Sequence, residues 1–393
     1  MKSKLFKAVK SLQEIHQLSR RARERSGKPL AQQLADIAYL KRCNPSCGIS
    51  DYYFYGLYDP QVSTRENFKN FAGWRIQATM NYALNPRQVV APAWDKTLFM
   101  LLLDAHGLAY PRVQATFKEC RMIPTVSGRH LRSIDEVHDF LRDAAVYPLY
   151  VKPVDCQLGL LGFYLTGFDR EADGVILKNG ETLPFDRFIE QSINSSLRKY
   201  YRKEAGYLFQ DIIPQHSAIN EFQGHSVVSG IRIVTLNTPD GPVAHRAVWK
   251  LAVGGNSNDN FSLGKYGNLV AQVDVASGRV VAAVNGLWPN AERLDRHPDT
   301  GRLFADFSLP FWQELVEQVV KAAEFIPTMP IKHWDIAIGE DGPIFIELND
   351  IGGIEILQLH GLGLLDETLV ELIRTKANLN TDKTLQRLVG RYR

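Results

Sequence analysis

The chain has 393 residues, 45% hydrophobic and 23% charged, a globular composition with length for two or three domains that excludes a disordered or fibrous protein. Its 46 Lys/Arg against 43 Asp/Glu leave a net charge of +3, too small to point to nucleic acid. The balance is uneven: residues 1–42 carry eleven Lys/Arg and three Asp/Glu, a net of +8, so the remainder is at −5.

No stretch reaches the ~18 apolar residues of a membrane span. The N-terminal lysines are followed by no apolar h-region, so no signal peptide is expected. Four cysteines (Cys43, Cys47, Cys120, Cys156) make no disulfide framework, and reduced thiols in a cytoplasmic protein are expected. Cys43 and Cys47 can sit one helical turn apart, but no second Cys/His pair at zinc-finger spacing accompanies them, so structural thiols are the expectation.

Leu5, Val9, Leu12, Ile15 and Leu18 recur every three or four positions with lysines and arginines between them, which predicts a basic amphipathic helix. Gly27 and Pro29 end it, and a second short helix runs through Leu40. Such a helix over residues 1–25 suits the surface of an anionic membrane, or docks on the body with its charged face in water; docking is the preferred reading. Residues 43–92 form an aromatic-rich region in which Tyr52, Tyr53, Phe54, Tyr55 and Tyr58 precede a predicted helix over 64–82. Core packing is preferred for these rings over a substrate platform.

From Ala93 onward helices and strands alternate. A helix over 95–105 closes at Gly107, a strand covers 113–117, and Ser133 with Glu136 opens a helix running to about residue 145. Strands are predicted over 149–154, 161–166, 207–213, 230–237, 243–253, 269–275, 280–284, 331–338 and 344–348, and helices over 185–194, 310–325 and 366–377. Short turns such as Thr238-Pro239-Asp240-Gly241 join neighbouring strands, which predicts an α+β fold with mostly antiparallel sheets.

The most informative segment is His333-Trp334-Asp335 followed, across the turn Gly339–Gly342, by Glu347-Leu348-Asn349. Strand residues two apart share a face, so Glu347 and Asn349 lie on one side, and a pairing of Ile338 with Ile344 puts Asp335 opposite Glu347. Facing carboxylates repel unless a cation sits between them, and two carboxylates with an amide oxygen suit magnesium. Solvated acids on a surface hairpin are the plainer alternative. Lys152 ends an apolar strand before a loop containing Gly159 and Gly162, where an ammonium and backbone N–H groups can surround phosphate oxygens, or where it is simply a solvated edge residue. This loop is neither a Walker motif nor a dinucleotide fingerprint. Arg232 alternates with Ile231 and Ile233 on the opposite strand face, suited to a carboxylate or a phosphate. Lys96 lies in the first turn of a helix, where its charge opposes the helix dipole.

In this order, Lys96, Lys152 with its glycine loop, Phe209-Gln210-Asp211-Ile212-Ile213, Arg232, Asp335 and Glu347-x-Asn349 resemble the ATP-grasp superfamily. The segments around Arg232, Asp259-Asn260-Phe261-Ser262 and Trp334-Asp335 resemble more narrowly the sugar-transfer-associated ATP-grasp family, over roughly residues 50–378. The resemblance implies two α+β subdomains sandwiching ATP, at 93–209 and 210–378, preceded by a helical arm (1–42) and the aromatic region (43–92) and followed by a tail (379–393). It implies that Lys96 and Lys152 contact ATP phosphates, with Gln157, Gly159 and Gly162 in the loop above them. Gln210, the Asp211 carbonyl and the Ile213 N–H would meet adenine, and His216 the ribose. Arg232 would stabilise the transferred phosphoryl group, and Asp335, Glu347 and Asn349 would hold two Mg2+ ions. His225, Ser229 and Lys250 are weaker candidates for the second substrate. The hinge of such proteins often begins with an acidic residue, and here it begins with Gln210.

This set implies an ADP-forming ligase that activates a carboxylate as an acylphosphate and joins it to an amine or thiol, in a setting of cell-surface polysaccharide or amino-sugar synthesis. A kinase acting on a small-molecule hydroxyl and a non-catalytic nucleotide-binding module are the alternatives. ATP and small molecules are the expected partners, without nucleic acid; the acid, the nucleophile and the oligomeric state stay open.

Overall fold

A computed structural model describes residues 2–119, 127–155, 161–195, 206–286 and 291–392, with side chains from residue 14 onward except at Thr381. The chain divides into two compact units: unit 1 comprises Met1–Arg87, Ala218–His333 and Asp350–Arg393, and unit 2 comprises Gln88–Ser217 and Trp334–Asn349.

Unit 1 opens with α1 (Lys2–Ser26), α2 (Leu30–Cys43), α3 (Ile49–Phe54) and α4 (Gln77–Leu84). Leu18 and Ala22 of α1 pack into one apolar cluster with Ile37, Leu40, Tyr52, Tyr53, Tyr55 and Tyr58, so α1 docks through its C-terminal half and the aromatic run is core. Burying two tyrosines demands hydrogen-bond partners, and α2 supplies them: Tyr52 Oη donates to Asp36 Oδ2 (3.0 Å) and Tyr53 Oη to Gln33 Oε1 (3.0 Å). The helix expected over 64–82 is two pieces, a 3-10 turn at Arg65–Asn70 and α4. The chain leaves helical geometry at Phe71 (φ −88°, ψ 129°). Gly73 then packs so closely on Ser46 that a Cβ would lie 2.2 Å from its carbonyl oxygen. Cys43 and Cys47 are free thiols, and buried Cys47 bonds the Phe71 carbonyl, as structural cysteines do.

Unit 2 contains α5 (Ala91–Trp94), α6 (Lys96–Ala105), β1 (Val113–Phe117), β2 (Arg129–Leu131), α7 (Ile134–Leu141), β3 (Leu149–Pro153), β4 (Phe163–Asp169), β5 (Gly174–Leu177), β6 (Thr182–Pro184), α8 (Phe185–Gln191) and β7 (Tyr207–Asp211). Its sheet runs β2-β1-β7-β3-β4-β5-β6, antiparallel except for the β1–β2 pair. On one face Val137, Phe140, Phe188 and Ile189 of α7 and α8 pack on Leu149, Val151 and Phe209. On the other, Met100 of α6 meets Val113, Val154 and Leu208. Asp95 caps α6 by accepting from Thr97 and Leu98 N–H, and Ser133 caps α7 through Glu136 N–H.

Unit 1 resumes with α9 (Ser217–Gln223), β8 (Ile231–Thr238), β9 (Gly241–Leu251), β10 (Leu269–Val273), β11 (Val280–Asn285), β12 (Glu292–Leu294) and α10 (Trp312–Glu324). Strands β8 to β12 form an antiparallel meander, and the β8–β9 turn closes at Gly241 with φ 114°, as its Pro-Asp-Gly sequence predicts. β13 (Ile331–Gly339) then crosses into unit 2 and pairs with β14 (Gly342–Asn349) as a hairpin. Unit 2 keeps this hairpin through Phe345 N–H to the Ala109 carbonyl (2.8 Å) and His216 N–H to the Ile338 carbonyl (2.9 Å). α11 (Glu367–Lys376) and α12 (Lys383–Arg391) end the chain. The segment expected as a tail holds α12, which Asp382 caps and whose Leu385, Leu388 and Val389 enter an apolar cluster with Leu369, Val370 and Ile373 of α11.

Candidate functional site

The register of β3 against β7 sets Tyr150 opposite Gln210 and Lys152 opposite Leu208. Facing residues of an antiparallel pair share a side, and so do residues two apart, which puts Lys152 and Gln210 together on the α6 face. Lys152 is half-buried. Its ammonium pKa is pushed down to about 8, chiefly by loss of water and further by the charge of Lys96, while Glu347 opposes the shift. Two lysines and one metal-ligand candidate are therefore neighbours within unit 2. Lys96, 8% exposed, begins α6; its backbone N–H bonds the Val154 carbonyl at 3.2 Å and its Nζ reaches the same oxygen at 3.5 Å.

Gln210 is 1% exposed. Its Nε2 donates to the Pro111 carbonyl at 3.1 Å and lies 3.6 Å from Met100 Sδ, while Oε1 has no partner among the described residues. An amide oriented by its donor end with its acceptor orphaned is expensive unless a ligand brings a donor to it. The Asp211 carboxylate accepts from Arg112 Nε (2.7 Å) and Gln114 Nε2 (2.5 Å), which ties its side chain to β1 and leaves backbone groups to face a ligand. Ile213 and His216 are half-buried in the segment that follows. Ser217 N–H bonds Glu340 Oε1 at 2.7 Å, so this segment is fastened to the hairpin turn.

On the hairpin, all of β13 is buried, Asp335 at 8% exposure, whereas Glu347 and Asn349 are half-buried. Asn349 Nδ2 lies 3.5 Å from Asp335 Oδ2, joining the strands' polar side chains in one group. Trp334, on the opposite side from Asp335, packs on Phe99 and Phe345 and holds the strand in place. Two carboxylates and an amide oxygen, hard donors beside a half-open surface, fit magnesium with water and phosphate completing its shell. Among the described residues no group of three or more His, Cys, Asp or Glu suited to a metal exists, so this mixed trio is the metal candidate. Gly162 is described at the start of β4, and Gln157 and Gly159 lie outside the described residues.

The remaining candidates belong to unit 1. Arg232 is half-buried on β8, opposite Val248 and on the other face from Ile231 and Ile233. Its charge acts on Glu355, whose carboxyl burial pushes up while its own backbone N–H and Arg232 oppose the rise. Glu355 Oε2 also accepts from Gln77 Nε2. Neither Glu355 nor Gln77 stood out in the sequence; the glycine pair Gly352-Gly353 just before Glu355 was the available signal. A Cβ at Gly353 would sit 2.6 Å from Glu355 Oε1, so the carboxylate is laid over that glycine.

The three weaker candidates are engaged inside unit 1. His225 Nε2 meets the Ala252 carbonyl (3.0 Å) and its Nδ1 accepts from Val227 N–H (3.2 Å), which fixes the orientation of the ring. Ser229, 1% exposed, donates to Gln223 Oε1 at 2.7 Å. Lys250 Nζ stands 3.6 Å from Asp259 Oδ2, which accepts from Gly230 N–H at 2.7 Å. These contacts brace the β8–β9 end and the loop beside it.

Among solved structures the chain is similar to the D-alanine-D-alanine ligase from Coxiella burnetii, at 11% identity and TM-score 0.40 over 78% of this chain and 60% of that one. It is also similar to VanG D-Ala:D-Ser ligase from Enterococcus faecalis, at 14% identity and TM-score 0.37 over 72% of this chain and 62% of that one. The chain thus spans about three-fifths of the length of these structures. No curated protein matches it. The model of the family described as sugar-transfer associated ATP-grasp matches residues 75–371, three-quarters of the chain. The chain therefore belongs to the sugar-transfer-associated ATP-grasp family, with an α+β ATP-grasp fold behind a helical N-terminal region.

Proposed function

We propose that this protein is an ATP-dependent ligase, forming an acylphosphate from a carboxylate and joining it to an amine or thiol with release of ADP and phosphate. The observation that carries the reading is the orphaned Oε1 of Gln210 on the same sheet face as Lys152, with Glu347 near that lysine. The exocyclic amine of adenine supplies the donor that Gln210 lacks; a base with a carbonyl at that place would set oxygen against oxygen. The Asp211 carbonyl and Ile213 N–H complete the adenine edge, and His216 faces the ribose.

Lys96 and Lys152 bind the phosphates, assisted by the loop containing Gln157, Gly159 and Gly162. Asp335, Glu347 and Asn349 hold magnesium, which when bound neutralises charge on the β- and γ-phosphates. We assign Arg232 to the transferred phosphoryl group, whose charge a fixed guanidinium stabilises without reorganising. A carboxylate oxygen attacks the γ-phosphorus and ADP leaves; the amine then attacks the acyl carbon and phosphate leaves. Each step asks the chain for positioning and charge, and for no covalent nucleophile. His225, Ser229 and Lys250, engaged internally, receive no role here.

The family's description associates it with sugar transfer, which supports a setting of cell-surface polysaccharide or amino-sugar synthesis. Dependence on ATP supports a cytoplasmic setting for the reaction. Incubation with MgATP, a pool of carboxylic acids and hydroxylamine tests the reading, because hydroxylamine traps an acylphosphate as a hydroxamate. ADP with hydroxamate is the expected result. ADP with a phosphorylated hydroxyl compound would instead identify a kinase, and no magnesium-dependent ADP with any acid or metabolite extract would refute catalysis.

A further inference from the structure

The polarity of α2 is inverted. Its inward face carries Gln33 and Asp36, fully or nearly fully buried, together with Ile37 and Leu40. Gln33 donates to the Ser19 and Lys28 carbonyls, and Asp36 accepts from Lys28, Arg65 and Tyr52. The opposite face carries Leu30, Ala31, Leu34, Ala35 and Ala38, all exposed, with Leu30 at 49% and Leu34 at 54%. At 100° per residue these five fall within an arc of roughly 140°. Lys41 and Arg42 fall within the same arc at its C-terminal end, both exposed. A helix in water normally hides its leucines; here the buried tyrosines claim the polar side chains of the N-terminal turns, and Leu30 and Leu34 are left outside.

A shallow depression of about 450 Å³ adjoins the C-terminal end of α2, lined by Tyr39, Arg42, Cys43, Lys69, Arg391 and Tyr392. It contains three cations and no acid, with two tyrosines. Arg391 is held there by donating to the Lys41 and Arg42 carbonyls, the last turn of α2. Apolar side chains flanked by lysine, arginine and tyrosine are what the interface of an anionic bilayer accepts, the apolar part among acyl chains and the cations among phosphates. A second copy of this chain fits less well. The exposed apolar residues are two leucines and three alanines along ~12 Å of one helix, a small fraction of the ~800 Å² per partner of a stable interface, and the four cations beside them find no matching acid on this face.

We infer that the outer face of α2, Leu30 to Arg42, with Lys69 and Arg391 beside it, is a docking surface for an anionic lipid membrane. The protein would lie on the membrane without crossing it. This surface is distinct from residues 1–25 and independent of the ligase reading.

The test uses the full chain in co-sedimentation with vesicles of phosphatidylcholine alone and of phosphatidylcholine with about one-third phosphatidylserine. Binding to the anionic vesicles alone, lost in high salt, is expected. Lys41→Glu/Arg42→Glu should weaken it by at least about 25-fold, taking about five-fold per cationic charge. Leu34→Glu, at a position too exposed to unsettle the fold, should also abolish sedimentation, and Leu34→Trp should give emission that shifts to the blue on anionic vesicles. Equal sedimentation with neutral vesicles, wild-type binding by Leu34→Glu, or a dimer that Leu34→Glu dissociates without any vesicle binding would each overturn the inference.

Discussion

Replacing Lys152 by Met should make the ligand-free protein more stable and unable to hold the nucleotide. The ammonium carries a pKa lowered from 10.5 to about 8, for which burial is the largest cause and Lys96 the second. A difference of that size corresponds to ~3 kcal/mol, which partial exposure and a movable head group reduce to ~1–2 kcal/mol. The sign follows from proton counts. Between pH 8 and 10.5 the unfolded chain holds the proton that the folded chain has lost, so stability rises with pH across that window, and the cost is felt in full below pH 8. Thermal unfolding in EDTA at pH 7 should therefore show Lys152→Met melting ~1–2.5 °C above wild type, with the difference shrinking toward pH 10. Adding MgATP at a hundred times its Kd should stabilise wild type by ~2.7 kcal/mol and leave the variant unmoved. A variant that melts no higher than wild type at pH 7, or that still responds to MgATP, would refute the argument that Lys152 is an enclosed cation awaiting phosphate.

Gln210→Met should weaken binding of a non-hydrolysable ATP analogue about 5- to 100-fold by titration calorimetry, since adenine's amine would then be enclosed without an acceptor. Arg232→Ala should lower turnover by roughly 100-fold or more with little change in ATP affinity; a much smaller loss would mark Arg232 as structural. Lys332, 0% exposed, donates to Asn237 Oδ1 at 2.7 Å, and burial pushes its pKa down to about 7. Its folded pKa lies below the unfolded one, so wild-type stability should rise from pH 7 toward 10.5, and denaturant titrations of Lys332→Met should lack that part of the rise.

The candidate site was legible where it depends on local alternation. Glu347 and Asn349 share a face because strands have period two, and Asp335 joins them across a four-residue turn. Lys152 and Gln210 came together through a strand register that no sequence pattern states. Glu355 was invisible for a similar reason: its partner Gln77 is 278 positions away. α2 shows the converse failure. Its Leu, Ala, Gln and Asp spacing is consistent with either face turned inward, and only the positions of Tyr52, Tyr53 and Arg65 settle which. Strands β2, β5, β6 and β12, three or four residues long, have too few residues for alternation to register. α12 was passed over because its apolar residues are few, although each of them is used.

The clamp on Asp211 reaches further than its own carboxylate. Arg112, with 69% of its side chain in water, would ordinarily pass for a position free to vary. Yet with Gln114 it fixes the rotamer of the residue whose backbone carbonyl is proposed to read adenine. A lysine there keeps the charge and loses the fork, so affinity for nucleotide would drift through a residue that never touches it. In this fold, exposure measures contact with water and says little about dispensability.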